Sequence, residues 1–132
     1  MASQTRPLSP HLQIYRLPLT VVLSISHRIT GAFLVAGVVL VIALLAAAAA
    51  GPEAYEAVHR HVAAWYGQAI LFLSTFALFF HLCNGIRHLA WDAGYGYEYP
   101  TVNKTAYIAL GATVALTLLV WIVAIAAQGG LW

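Results

Sequence analysis

The sequence predicts an all-α integral membrane protein with three transmembrane helices. Composition, hydropathy patterning and the placement of Lys and Arg all lead there. Of 132 residues, 62% are hydrophobic and only 8% are charged, against about 25% charged in an ordinary soluble domain. Six Lys or Arg and four Asp or Glu cannot cover a water-soluble surface on a chain of this length. Intrinsic disorder needs the opposite composition. A net charge of +2 is too small for a nucleic-acid binder, so no nucleic-acid partner is expected. The single cysteine, Cys83, excludes an internal disulfide, a CxxC site and a metal cluster held by this chain's cysteines alone.

Three uncharged stretches define the spans, at about 31–50, 62–86 and 105–127. Each reaches the ~20 apolar residues that a helix needs to cross a hydrocarbon core of about 30 Å. Hydrophobicity all round the helix suits lipid better than a soluble amphipathic packing. Residues 1–30 read as a cytoplasmic N-terminal segment with the start of helix one, and 31–132 as a three-helix membrane domain. The connections read as short and polar. Gly51 to His61 carries Gly-Pro, two glutamates and Arg60; Trp91 to Lys104 carries two glycines, Pro100 and three tyrosines. The run LLAAAAAGPEA resembles a signal-cleavage site. The thirty residues before its apolar run are too many for a usual signal, so cleavage is not expected. No Arg/Ser-rich transit peptide is visible, which reads as a bacterial or a mature chain.

Orientation follows from the cations. Arg6, Arg16 and Arg28 precede span one, and Arg87 and Lys104 flank the second connection, whereas Arg60 alone lies on the other side. The positive-inside rule then puts the N-terminus and second connection in the cytoplasm and the C-terminus outside. Trp65 and Tyr66 on one side, and Trp91, Tyr95, Tyr97 and Tyr99 on the other, fit interfacial aromatic belts.

The informative residues are polar ones at or inside the membrane, because burying them without a partner is costly. The first cluster is HLCNGIRHLAWD at the end of span two. At helical spacing His81, Gly85, His88 and Asp92 share one stripe. With Arg87 taken as the cytoplasmic edge, His81 lies about 9 Å inside the hydrocarbon at 1.5 Å per residue. Its lone pair has two outlets: haem iron, which commonly takes an axial histidine, or a hydrogen bond to a neighbouring helix. Spacing leaves both open. Gly85 would admit a flat macrocycle, and Arg87 and His88 stand where haem propionates would turn to water. The second cluster is SISHRITG at the start of span one. Ser24, His27, Arg28 and Gly31 fall on one face. A hydroxyl, an imidazole and a guanidinium there suit a quinone carbonyl or a haem propionate; an interfacial anchor with a snorkelling arginine is the plain alternative. Six residues in from the same edge, spans one and three offer Gly37 and Gly111, which permit close packing, and no second histidine. If His81 binds haem, a second axial ligand must come from another polypeptide.

Together, RPLSPHLQIYR, SISHRITG and HLCNGIRHLAWD resemble the cytochrome b membrane subunit family of succinate dehydrogenase, respiratory complex II, in which this would be the larger of two anchors. The resemblance covers nearly the whole chain, with two polar motifs in the right order and at the right depths. It implies a helical bundle shared with a second small anchor subunit, capped by an iron–sulfur subunit and a flavoprotein. It implies haem b as cofactor, with His81 as an axial ligand and the other ligand from the second anchor. It implies that Ser24 and Arg28 line a ubiquinone pocket, and that His27, Arg28 and His88 lie near the haem propionates. The expected location is a bacterial inner membrane, or the mitochondrial inner membrane for a eukaryotic chain. Succinate would be oxidised on the flavoprotein, since this chain has no GxGxxG and no soluble domain. The rival readings are a haem-free structural anchor and a small transporter subunit. The latter predicts an ionisable residue near mid-membrane, and the central parts of the spans have none.

Overall fold

The structure is a computed structural model that describes residues 16–129. Most of RPLSPHLQIYR, with Arg6 and His11, and the end of the tail lie outside the described residues, so the readings placed on them stay expectations. The described residues form four helices: α1 Leu19–Ala50, α2 Pro52–Ala63, α3 Trp65–Asp92 and α4 Tyr99–Gln128. Three of them, α1, α3 and α4, are long and apolar enough to cross a membrane.

The spans expected at 31–50 and 105–127 lie within helices running 19–50 and 99–128, whereas the one expected at 62–86 begins in α2, crosses the Ala64 link and continues in α3, which runs on to Asp92. A charge ends the hydrocarbon-compatible stretch without ending the helix, because Arg is a good helix former. Chain breakers set the ends instead. Pro18 precedes α1, and its carbonyl accepts the Val21 and Val22 amides at 3.0 and 3.2 Å. After α1 comes Gly51, with φ +118°, a conformation open to glycine and costly for other residues. Pro52 then starts α2 at a position where its missing N–H costs nothing.

The short polar connection expected at Gly51 to His61 is mostly helix, α2. α2 places Glu53 in its first turn and Arg60 and His61 in its last, each favourable for the helix dipole. One extended residue, Ala64, separates α2 from α3. Gln68 closes this junction by donating from Nε2 to the Val62 carbonyl at 3.0 Å.

α3 is the central element, packed against both α1 and α4, which touch each other less. Leu23, Phe80 and Ala106, one from each long helix, form the buried apolar cluster, with Leu19, Phe76 and Leu110 against it. On α4 the small side chains Ala106, Ala109, Thr113 and Thr117 are buried in one stripe. Small residues let helices approach closely where lipid gives no hydrophobic drive between them. Both threonine hydroxyls donate to the carbonyl four residues back, at 2.7 and 2.8 Å. The outward faces are apolar, with Val35, Val39, Ile42, Leu45, Ile122 and Val123 all more than half exposed. In water that surface would aggregate; in hydrocarbon it costs nothing.

Candidate functional site

The two polar motifs meet at one end of the bundle, where α1 crosses α3. The first three polar groups there are histidines in a stack. The ring of His27 lies between those of His81, 3.9 Å away with planes 14° apart, and His88, 4.9 Å away with planes 18° apart. Parallel rings do not aim their nitrogens at one point. Accordingly, no group of three or more His, Cys, Asp or Glu among the described residues could hold a metal ion.

Backbone contacts settle the His81 tautomer. Its Nδ1 is 3.0 Å from the His27 carbonyl oxygen, which can only accept, so Nδ1 carries the proton and donates. The Thr30 hydroxyl, 3.3 Å from the same Nδ1, itself donates to the Ser26 and His27 carbonyls at 2.9 Å and so offers its oxygen as a second acceptor. Nε2 is left with the lone pair. A ring nitrogen fixed in this way by a backbone carbonyl is the usual support of a histidine metal ligand. His88 is held similarly, with Nδ1 donating to the Asn84 carbonyl at 2.7 Å. Nδ1 of His27 is buried and has no hydrogen-bond partner.

Of the two glycines beside the stack, Gly31 is the one it requires. A Cβ on Gly31 would stand 2.9 Å from Cε1 of His81, too close for the ring to stay. A Cβ on Gly85 would meet Cε1 of His27 at 3.6 Å, an ordinary contact. A Cβ on Gly37 or Gly111 would meet nothing of this chain within 4 Å, so neither marks a close approach between its own helices. Depth counting located them on the helix axis but not on its circumference.

The face shared by Ser24, His27, Arg28 and Gly31 divides in two. His27 and Gly31 turn to α3. Ser24 and Arg28 turn to a cleft of about 490 Å³, whose other walls include Trp91, Tyr97 and Val102. A hydroxyl, a guanidinium and two aromatic side chains thus line one cleft. Of the other candidates, Asp92 is exposed at the end of α3.

Arg87, expected with His88 where haem propionates would turn to water, turns toward α4. It is 6% exposed and wedged between α3 and α4. Its Nε–H donates to the Thr105 hydroxyl at 3.1 Å and an Nη2–H to the Val102 carbonyl at 3.0 Å. Helical phase explains this: Arg87 lies about 120° from His81 around α3, on the side that meets α4. Its guanidinium stacks over Trp91, 4.2 Å from the ring centroid. Trp91 is half-buried, whereas Tyr95, Tyr97 and Tyr99 are well exposed. Sequence reasoning read Trp91 and Tyr97 only as belt residues, and both line the cleft; Arg87, expected near the haem propionates, packs on Trp91. The one available signal was the spacing of Arg87 and Trp91, four apart and so neighbours on a helix.

The other end of the bundle carries an apolar cleft of about 250 Å³ between α1, α2 and α3. Its polar lining includes His61 and Tyr66, joined by a 2.6 Å hydrogen bond between Nδ1 and the phenol oxygen. The chemistry needed for a charged or redox-active ligand is at the histidine end.

A protein-family model described as "Succinate dehydrogenase/Fumarate reductase transmembrane subunit" matches residues 2–120. The succinate dehydrogenase cytochrome b556 subunit of Paracoccus denitrificans is 48% identical over 118 residues, covering 89% of this chain and 91% of the relative. The cytochrome b560 subunit of Reclinomonas americana is 39% identical over 123 residues, covering 89% and 85%. That of Marchantia polymorpha is 35% identical over 119 residues, covering 86% and 87%.

Proposed function

Because the chain belongs to the succinate dehydrogenase/fumarate reductase transmembrane subunit family, we propose that it is the haem b-binding anchor that forms part of the quinone-reduction site. As a subunit of that complex it is a multi-pass membrane anchor and not the subunit that oxidises succinate. In this reading a second small anchor subunit supplies the other axial haem ligand. An iron–sulfur subunit and a flavoprotein dock at the end that bears the histidine stack, on the cytoplasmic side of a bacterial inner membrane (the matrix side in a eukaryotic chain).

The observation that carries the reading is the His81 imidazole, held by its Nδ1–H and left with its lone pair on Nε2. Haem, when bound, supplies a one-electron centre and takes that lone pair at its iron. Gly31 keeps the ring where the two acceptors hold it. His27 brings a buried Nδ1 without a partner, which a propionate carboxylate would satisfy. His88, with its own Nδ1 occupied, has Nε2 left to meet such a carboxylate. Arg28, exposed beside them, adds a cation.

Ser24 and Arg28 do the work toward ubiquinone. Reduction places negative charge on the carbonyl oxygens. A hydroxyl donor and a guanidinium fixed one helical turn apart stabilise that charge where it develops and orient the ring in the cleft.

The test is purification of the intact complex from membranes through a tag on this chain, followed by a reduced-minus-oxidised spectrum. A low-spin b-type band, with the second anchor, iron–sulfur subunit and flavoprotein co-eluting, is expected. This chain expressed alone should lack a bis-histidine spectrum, because its partner histidine is in trans. A complete four-subunit complex without haem would establish the haem-free anchor instead.

A further inference from the structure

We propose that Trp91 is the fixed aromatic wall of the quinone cleft and that Arg87 is the positioning residue that holds it there. The inference rests on the quinone reading above and adds two residues to that site.

Trp91 lines the same cleft as Ser24 and Arg28. It belongs to the last turn of α3, where a side chain is ordinarily free to move. Here it is restrained three ways. Its indole Nε1–H donates to the Gly96 carbonyl at 3.3 Å. Its backbone carbonyl accepts from the Tyr97 hydroxyl at 2.5 Å, with the two rings 6.5 Å apart and 23° from parallel. The Arg87 guanidinium lies 4.2 Å from its ring centroid. Gly94 and Gly96, with φ of +87° and +80°, give the connection the turns that bring Gly96 and Tyr97 back onto Trp91.

Arg87 is the costly member of this set. It is buried in a membrane protein, and no carboxylate pairs with it among the described residues. A buried cation in a span is expensive and commonly functional. Helix packing alone would be served by an apolar side chain. What the guanidinium adds is a rigid fork: it bonds α4 through Thr105 and Val102 while its flat face lies against Trp91. Val102 also lines the cleft. The wall is thus keyed to α4, and the hydroxyl and cation that line the same cleft are carried by α1. A ring edged with carbonyl oxygens matches a cleft lined by an indole, a hydroxyl and a guanidinium.

The test uses the assembled complex in membranes, with KM and kcat for a short-chain ubiquinone analogue, dye-coupled succinate oxidation and the haem spectrum as readouts. Trp91→Leu should raise the quinone KM about three- to tenfold, the range an aromatic stacking contact supplies, with a smaller change in kcat. Trp91→Phe should restore most of it. Arg87→Gln should raise KM in the same direction, and the double variant Arg87→Gln/Trp91→Leu should be no worse than Trp91→Leu alone, since Arg87 acts through Trp91. Dye-coupled oxidation and haem content should stay near normal. Where the leucine variant assembles poorly, Trp91→Met carries the same test, keeping an apolar side chain of similar reach without a ring. An unchanged KM in the Trp91 variants while Ser24→Ala lowers succinate:quinone activity overturns this inference alone. Unchanged quinone kinetics in both overturns the quinone reading with it. Additive effects of Arg87 and Trp91 overturn the positioning role.

Discussion

His81 and Gly31 are a matched pair across two helices, and the match is tight enough to test. A methyl group at Gly31 would overlap the His81 ring edge at 2.9 Å, so Gly31→Ala must turn or push the imidazole off its Nδ1–H bonds. Haem per mole of complex should fall well below the unaltered level, whereas Gly85→Ala, with 3.6 Å available, should keep most of it. Equal haem in both variants would mean that His81 placement does not govern retention. Ser24→Ala tests the neighbouring cleft. Loss of one hydrogen bond to a developing charge costs about 1.5–3 kcal/mol, or about one to two orders of magnitude in rate. Succinate:quinone activity should drop by that amount while dye-coupled succinate oxidation persists. A parallel fall of both would assign Ser24 to assembly. These residues were legible in the sequence because a serine, histidine or arginine stands out in an apolar helix. Arg87 and Trp91 were not. A cation and a tryptophan at the end of a span look like edge markers, and their inward turn depends on Thr105 of another helix and on the glycine turns after α3.

Among the elements, the three spanning helices were readable from uncharged length alone, because lipid requires that length of any helix crossing it. Their ends were not, since hydropathy reports where charge begins and not where hydrogen bonding stops. α2 was missed for a related reason: its glutamates, histidines and arginine look like connecting coil unless the Pro52 start and the charges at each end are weighed together. Its junction with α3 hangs on Gly67, which is buried and faces the His61 and Val62 carbonyls so closely that a Cβ would collide with backbone. Neither carbonyl can swing aside without opening the Ala64 link and the Gln68 bond to Val62. Gly67→Ala should therefore destabilise the complex by about 1–3 kcal/mol, as overpacking generally does. A lower temperature of thermal inactivation, with the haem spectrum of the surviving complex unchanged, is the expected result. An unaltered inactivation temperature would show that the α2–α3 junction is free to relax.

At the scale of the whole molecule, three crossings put the two termini on opposite sides, and the cations choose which. Reporter fusions after Glu53 and at the C-terminus should read outside, and one after Gly96 inside. A cytoplasmic reading at the C-terminus would break the three-span arrangement. With that orientation the histidine stack, Ser24, Arg28 and Trp91 lie at the cytoplasmic end of the bundle, and His59 and His61 lie at the far end. The central claim is that one imidazole of this chain, His81, holds the haem. The most direct measurement is the reduced-minus-oxidised spectrum of the purified complex carrying His81→Ala, beside complexes carrying His59→Ala and His61→Ala. The account predicts a lost or strongly altered low-spin b-type band in the first and an intact band in the other two. An unchanged band in the His81 variant would contradict it.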